Sequence, residues 1–101
     1  MEIINGPIYI SFLDIGKYIR IYDDTPDNRK TKVYTLVNKE NELIHLGEIK
    51  WNTCWRKYCF YPEYETVFDN KCLTDIITFL NKLNEEYKEK RKTYESNRFI
   101  K

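Results

Sequence analysis

The segment KVYTLVNKENELIHLGEIKW, residues 32–51, predicts an antiparallel β-hairpin. Side chains in Lys32–Val37 alternate between two faces with a period of two, which is the spacing of a half-buried strand. The turn-forming residues Asn38–Asn41 join this strand to a second one, Leu43–Trp51. Gly47 interrupts the second strand, and a glycine there indicates a β-bulge or a close approach of another backbone. We therefore expect the second strand to bend near Gly47.

Two further strands are predicted before this hairpin. The first is Ile8–Leu13, and the second is Tyr18–Tyr22, in which Ile19 and Ile21 share one face. The run Asp23–Thr31 is rich in Asp, Thr, Pro and Asn, which favour turns through local hydrogen bonds and a restricted φ. We expect this run to be an exposed loop.

A last strand, Arg56–Tyr61, is predicted after a short turn at Asn52–Cys54. Pro62 lacks a backbone N–H donor and should end this strand. Alternation along the strand gives it two distinct faces. One face carries Arg56, Tyr58 and Phe60, and the other carries Lys57, Cys59 and Tyr61.

An amphipathic helix is predicted from about Asn70 to Tyr94, because the apolar residues there recur at steps of three and four. Asp69 or Asn70 is suited to cap its first free amides, and basic residues near its far end suit the helix dipole. We expect the apolar stripe to pack on the sheet and the last turns to project beyond it. The stripe consists of Leu73, Ile76, Ile77, Leu80, Leu83 and Tyr87.

Together these elements predict an α+β fold, with an antiparallel sheet of four to five strands and one long C-terminal amphipathic helix packed on one face. The chain has 101 residues, close to the commonest domain size. We therefore expect a single domain over residues 1–101, with the sheet at about 7–68 and the helix at about 70–94. The other face of the sheet is expected to stay open.

No residue pattern predicts an enzyme, a metal site or a cofactor. His45 is the one histidine, and we expect it to share a strand face with Ile49 and Trp51, where a structural role is favoured over that of a catalytic base. The three cysteines lack metal-ligand spacing, so reduced and partly buried thiols are expected. No glycine-rich phosphate-binding loop is present in the sequence.

Composition and the N-terminal residues predict a soluble cytoplasmic protein. Hydrophobic residues make up 42% of the chain and charged residues 33%, and no apolar run approaches the ~20 residues that cross a bilayer. The start MEIINGPIYISFL carries Glu2 in place of a basic flank and has no small-residue cleavage site. It therefore predicts a first strand and not a secretory signal.

The densest group of aromatic and basic residues is WNTCWRKYCFYP, residues 51–62. One small core cannot bury all these rings together with the other aromatic residues of the chain, so we expect some of them to face a partner. The predicted contact residues are Trp51, Trp55, Arg56, Lys57, Tyr58 and Tyr61.

Two classes of partner fit these contact residues. Trp, Tyr and Arg are enriched in the hot spots of protein interfaces, and they also supply stacking and phosphate contacts to single-stranded nucleic acid. The formal net charge of +1 is small for a nucleic-acid-binding domain, so protein binding is favoured and nucleic acid remains the alternative. Glu63, Glu65 and Asp69 predict a solvated acidic loop that could select or repel a charged partner.

The stretch KTKVYTLVNKENELIHLGEIKWNTCWRKYCFYPEYETVFDNKCLTDIITFLNKL, residues 30–83, resembles a family of small uncharacterised proteins of bacteria, phages and prophages. The pattern that carries the resemblance combines KTKVY, LGxIKWxxxWRxYxFxP and CLxDIxxFLxKL. The residues at family positions are Trp51, Trp55, Arg56, Tyr58, Phe60, Pro62, Cys72, Leu73, Asp75 and Ile76. The segment up to Ile15 and the charged tail after Leu83 lie outside the pattern.

The phage-like setting of that family implies a protein directed at a bacterial host. The leading hypothesis is therefore a non-enzymatic inhibitor of a bacterial defence nuclease, similar to an anti-CRISPR protein, that acts in the host cytoplasm on the effector protein or its guide RNA. One alternative is a single-stranded RNA- or DNA-binding module. Another is a phage structural or assembly protein that associates through a sheet edge or the projecting helix.

Overall fold

The structure is a computed structural model that describes residues 12–99, with side chains described through Arg91. The described elements are β1 (Phe12–Ile15), β2 (Ile19–Asp23), β3 (Val33–Asn38), β4 (His45–Asn52), β5 (Lys57–Pro62) and α1 (Asn70–Phe99). The predicted α+β class is confirmed. The first predicted strand, Ile8–Leu13, lies mostly outside the described residues, and β1 begins at Phe12.

The five described strands form one antiparallel sheet whose spatial order follows the chain, β1-β2-β3-β4-β5. Each strand pairs with the next one along the chain, so the short connections are hairpins or loops. Alternation puts Ile19 and Ile21 on one face, as predicted, and both are buried there. Residues 24–32 contain no regular element, which confirms the predicted loop.

The core lies between one face of the sheet and α1. Its fully buried members are Ile19, Ile21, Leu36 and Ile49 from the sheet and Ile76 from the helix, joined by Tyr58 and Leu83. Burying an aliphatic side chain of this kind stabilises the fold by about 1.5–3 kcal/mol. The sheet and the helix are therefore held together mainly by this layer.

The helix begins as predicted, because the Asp69 carboxylate accepts a hydrogen bond from the Cys72 N–H at 2.8 Å and caps the first turn. This hydrogen bond holds the pKa of Asp69 below its usual value. The helix extends to Phe99, which is past the predicted end near Tyr94.

The buried stripe of α1 differs from the predicted one. Leu73 and Ile77 are 43% and 53% exposed, whereas Phe79 packs against the core. The stripe is centred on Ile76 and Leu83, and successive residues are rotated by ~100° around a helix axis. Ile77 is therefore turned well away from the sheet, and the prediction that Leu73 and Ile77 are buried is wrong.

The bend predicted at Gly47 is present as a β-bulge. Leu36 pairs with Gly47 and Val37 with His45, so Leu46 is the extra residue of β4. Gly47 has a φ of 152°, and a Cβ on it would lie 2.5 Å from the Tyr61 carbonyl oxygen. Both meanings expected of this glycine, the bulge and the close backbone approach, are confirmed.

The bulge also changes the position of His45. Because Leu46 is inserted, His45 lies opposite Val37 on the face of the sheet that α1 does not cover, which we call the open face, and not on the helix-covered face with Ile49 and Trp51. The predicted strand face of His45 is therefore wrong, and its side chain is exposed. Among the described residues, no helix combines the length and the apolar character needed to cross a membrane.

Candidate interaction surface

The turn between β4 and β5 displays an exposed aromatic side chain together with exposed basic ones. We call residues 53–57 the hairpin tip. Trp55 is 69% exposed at this tip, and Cys54, Arg56 and Lys57 are exposed beside it. Arg56 belongs to the turn and not to the strand as predicted, because its φ of 57° is left-handed and cannot continue a β-strand.

The side chain and carbonyl of Asn52 hold the backbone of the hairpin tip. Its Oδ1 accepts a hydrogen bond from the Trp55 N–H at 2.8 Å, and its carbonyl oxygen accepts one from the Arg56 N–H at 2.7 Å. Its Nδ2 donates to the Tyr61 hydroxyl at 2.9 Å on β5. Trp55 is thus presented on a turn whose backbone is already ordered. The turn predicted at Asn52–Cys54 is therefore present, although its side-chain hydrogen bonds, which asparagine at the start of a turn commonly forms, were not predicted.

Tyr58 and Trp51 lie on the helix-covered side of the sheet. Tyr58 is only 7% exposed, and its hydroxyl accepts a hydrogen bond from the Lys32 N–H at 3.0 Å. The half-buried Trp51 packs on Tyr58 and Tyr87, with ring centroids 5.4 Å and 4.5 Å apart. Tyr58 must therefore be removed from the predicted contact residues, because the core buries it. Trp51 serves chiefly to attach this end of the sheet to α1.

Tyr61 lies on the opposite, open face. The Lys50 ammonium lies over its ring, 4.8 Å from the centroid, and also pairs with Glu48 at 3.3 Å. The predicted contact residues are thus divided among three places, since β-strand alternation turns Tyr58 and Tyr61 to opposite sides. Trp55, Arg56 and Lys57 are brought together at the tip, where their binding role stays a prediction.

The hairpin tip is locally basic. Residues 49–62 contain Lys50, Arg56 and Lys57 and no carboxylate. Lys50 is neutralised by Glu48, whereas Arg56 and Lys57 form no ion pair with any side chain among residues 12–91. The tip therefore combines one exposed indole with two cations that are available to a partner.

A second polar cluster, which the sequence analysis missed, lies on the open face of β1 and β2. Arg20 pairs with Asp14 at 2.7 Å and with Glu42 at 2.8 Å, and its guanidinium carbon lies 4.2 Å from the Phe12 ring centroid. Glu42 also accepts a hydrogen bond from the Tyr22 hydroxyl at 2.6 Å. Arg20 is thus fully engaged within the fold, and this cluster ties the β3–β4 turn to β2.

The same cluster shifts the pKa values of its members. The hydrogen bond from Arg20 lowers the pKa of Asp14, and the hydrogen bonds from Tyr22 and Arg20 lower that of Glu42. Ionised Glu42 in turn raises the pKa of the Tyr22 hydroxyl, because loss of the Tyr22 proton would break their hydrogen bond. The cluster therefore stabilises the charged carboxylates at neutral pH.

A polar recess of about 300 Å³ opens on the same side of the sheet, near the bulge. The polar side chains that line it belong to Asp24, Thr35, His45, Glu48, Tyr61 and Glu63. The Thr35 hydroxyl donates a hydrogen bond to the Asp24 carboxylate. Among the described residues, no group of three or more His, Cys, Asp or Glu side chains is arranged to hold a metal ion. The predicted absence of catalysis stays a prediction.

The fold and this surface define a small α+β protein with an aromatic and basic hairpin tip. No protein-family model matches the chain, and no solved structure matches it. The chain is 39% identical over 61 residues to the "Uncharacterized 9.3 kDa protein" of Acholeplasma phage L2, in an alignment that covers 60% of this chain and 77% of the relative. The chain belongs to the family of that phage protein.

Proposed function

We propose that the chain is a small non-enzymatic binding protein that contacts a protein of a bacterial host through its hairpin tip. The observation that carries this proposal is the exposure of Trp55 on a turn held by Asn52. A preorganised loop loses less conformational entropy on binding than a mobile one. An indole displayed in this way is therefore suited to anchor an interface.

The chemistry of the tip indicates what the partner surface must offer. Trp and Arg are the residues most enriched in interface hot spots, where truncation typically costs about 2 kcal/mol or more. The indole of Trp55 requires an apolar pocket, and Arg56 and Lys57 require carboxylates at its rim. The expected partner is thus a protein surface with an apolar socket bordered by acidic side chains.

The position of the rings favours protein over nucleic acid. A base-stacking surface uses several exposed rings along a basic groove. Here Tyr58 is buried, Trp51 packs on the helix, and Lys50 covers the ring of Tyr61. Trp55 is left as the exposed ring of the hairpin tip, which suits a single socket better than a row of bases.

The identity of the relative supports a host-directed role. It is encoded by a phage, and the leading hypothesis for this chain is inhibition of a bacterial defence nuclease, similar to that of an anti-CRISPR protein. Binding of the tip to the nuclease protein is the favoured mode. Binding to its guide RNA is the alternative.

The test is affinity capture from a lysate of a bacterium that carries a CRISPR nuclease, with and without nuclease treatment, followed by mass spectrometry. The captured enzyme is then purified, and its cleavage of target DNA is measured with added chain. We expect capture that resists nuclease treatment and inhibition that increases with chain concentration. Recovery that vanishes with nuclease treatment would make nucleic acid the direct ligand.

Two matched variants distinguish a loss of binding at the hairpin tip from a loss of folding. The double variant Trp55→Ala/Arg56→Ala should lose at least about 30-fold in affinity, the equivalent of ~2 kcal/mol, with its melting temperature nearly unchanged. Leu43→Ala, at a side chain that is 90% exposed in a different turn, should bind normally. If the double variant captures the same protein as the unmodified chain, the hairpin tip is not the contact surface.

A further inference from the structure

The side chain of Tyr61 lies along the open face of the sheet and reaches toward the hairpin tip. Tyr61 pairs directly with Glu48 on β4, whereas its hydroxyl accepts a hydrogen bond from Asn52 Nδ2 at 2.9 Å. Asn52 lies four residues beyond Glu48, which is about 13 Å along a strand. The side chain must therefore extend along the sheet, and not straight out of it, to meet Asn52.

Lys50 holds the Tyr61 ring in this orientation. Its ammonium lies 4.8 Å from the ring centroid and also pairs with Glu48 at 3.3 Å. Lys50 lies between Glu48 and Asn52 on one strand face, because side chains two residues apart in a strand share a face. The ring is thus fixed beside the strand that leads into the tip, and Lys50 occupies one of its faces.

The Tyr61 hydroxyl completes the hydrogen bonds of the Asn52 carboxamide. The Trp55 N–H requires an acceptor and bonds to Oδ1 at 2.8 Å, so the NH2 group of Asn52 is directed to the other side. A tyrosine hydroxyl accepts a hydrogen bond from this group, and a phenylalanine ring in its place offers no oxygen. The carboxamide is therefore held at both ends, by Trp55 within the tip and by Tyr61 on β5.

The backbone of Arg56 needs this support. Its φ of 57° lies in the left-handed region, which glycine adopts more readily than arginine. A residue in such a conformation persists where the surrounding structure holds it. Here Asn52 supplies the hydrogen bonds, since its carbonyl oxygen accepts from the Arg56 N–H at 2.7 Å and its side chain accepts from the Trp55 N–H. The shape of the tip therefore depends on the position of Asn52.

We propose that Tyr61 is a positioning residue of the hairpin tip. Its hydroxyl fixes the Asn52 side chain, and Asn52 in turn fixes the backbone that presents Trp55 and Arg56. Tyr61 acts through Asn52 and does not itself contact the partner, so its role differs from the contact role predicted from the sequence. This role rests on the proposed function of the tip as a binding surface, and it explains how the chain orders that surface before a partner arrives.

The test is amide hydrogen exchange of the Trp55 and Arg56 N–H groups in the isolated chain, measured residue by residue by NMR. Tyr61→Phe removes the hydroxyl and keeps the ring, so exchange at both groups should accelerate by about 2- to 10-fold, as expected for the loss of one ordinary hydrogen bond. Tyr22→Phe is the matched control, because it deletes a hydroxyl on the same face that donates to Glu42 at 2.6 Å. It should leave exchange at the tip unchanged.

A double-mutant cycle with Asn52 tests whether the Tyr61 hydroxyl acts through that side chain. Asn52→Ala should accelerate exchange at Trp55 by at least as much as Tyr61→Phe does, because it removes the acceptor itself. Adding Tyr61→Phe to Asn52→Ala should then cause no further acceleration. If the two accelerations multiply in the double variant, or if the tip of Tyr61→Phe exchanges at the unmodified rate, the inference is overturned.

The host protein recovered by affinity capture provides a second measurement. Tyr61→Phe should weaken binding to it by about the same factor as it accelerates exchange, and Tyr22→Phe should bind normally. Weaker binding by a Tyr61→Phe variant whose tip exchanges normally would make Tyr61 a contact residue and overturn the positioning role. If the exchange results hold and no host protein is captured, the positioning role stands and the proposed function fails.

Discussion

Asn84 is predicted to stabilise the fold by completing the outer edge of β5. Its carboxamide replaces a neighbouring strand at Tyr58, with an acceptor 2.8 Å from the N–H and a donor 3.3 Å from the carbonyl oxygen. Tyr58 is buried, so water cannot easily replace these bonds. The substitution Asn84→Ala removes both hydrogen bonds to Tyr58 and keeps the helix.

The expected loss in free energy of unfolding comes mainly from the Tyr58 N–H, which Asn84→Ala leaves without an acceptor. A buried N–H that loses its acceptor costs about 1–3 kcal/mol, whereas the longer bond to the carbonyl adds little. Replacing asparagine by alanine in a helix recovers up to about 0.7 kcal/mol of propensity. Asn81→Ala provides the control, because Asn81 is exposed on the same helix and its substitution gains the same propensity.

We therefore expect Asn84→Ala to be less stable than Asn81→Ala by about 1–3 kcal/mol in urea unfolding. For a domain of this size, each kcal/mol lowers the melting temperature by about 4–8 °C. Asn84→Asp, which keeps an acceptor for the Tyr58 N–H, should fall between the two. If the urea-unfolding curves of Asn84→Ala and Asn81→Ala have equal midpoints and slopes, the Asn84 side chain does not stabilise the edge of β5.

Two further predictions concern the bulge and the open face. Gly47→Ala should destabilise the fold more than Gly16→Ala in urea unfolding. A Cβ at position 47 would meet the carbonyl oxygen of Tyr61, which is backbone and cannot move aside easily. A Cβ at position 16 would meet the side chain of Asp75, which can rotate away. The lowered folded-state pKa of Glu42 contributes stability above the usual value of 4.5, and that stability is lost as pH falls through the folded pKa. Glu42→Gln should therefore lose less stability than the unmodified chain between neutral and acid pH, and an unchanged pH dependence would contradict the role assigned to the hydrogen bonds of Glu42 with Tyr22 and Arg20.

The hairpins and the helix were predictable because each depends on residues close together in the chain. Alternation with period two and a turn at Asn38–Asn41 identify strands, and the change to steps of three and four after Asn70 identifies the helix. The glycine within β4 was also predictable, since a missing side chain in a strand usually marks a bulge. The end of α1 at Phe99 was less predictable, because the apolar stripe thins before the helix ends.

The candidate surface was only partly predictable. The density of rings in residues 51–62 pointed to the correct hairpin, and Trp55, Arg56 and Lys57 do lie together on its tip. The burial of Tyr58 depends on where α1 crosses the sheet, and that crossing is a long-range property. The inserted Leu46 likewise moved His45 to the open face, because one extra residue reverses the side to which every earlier side chain of the strand points.

The sequence alone specified the α+β class, the strands of the meander, the capped helix and the stretch of chain that carries the exposed indole. These features follow from local periodicity, turn chemistry and capping, in which each residue acts on near neighbours. The tertiary structure decided which rings enter the core, which helix residues remain outside and which face of the sheet carries His45. Those outcomes depend on the position of α1 against the sheet, which is set by packing among side chains distant in the sequence.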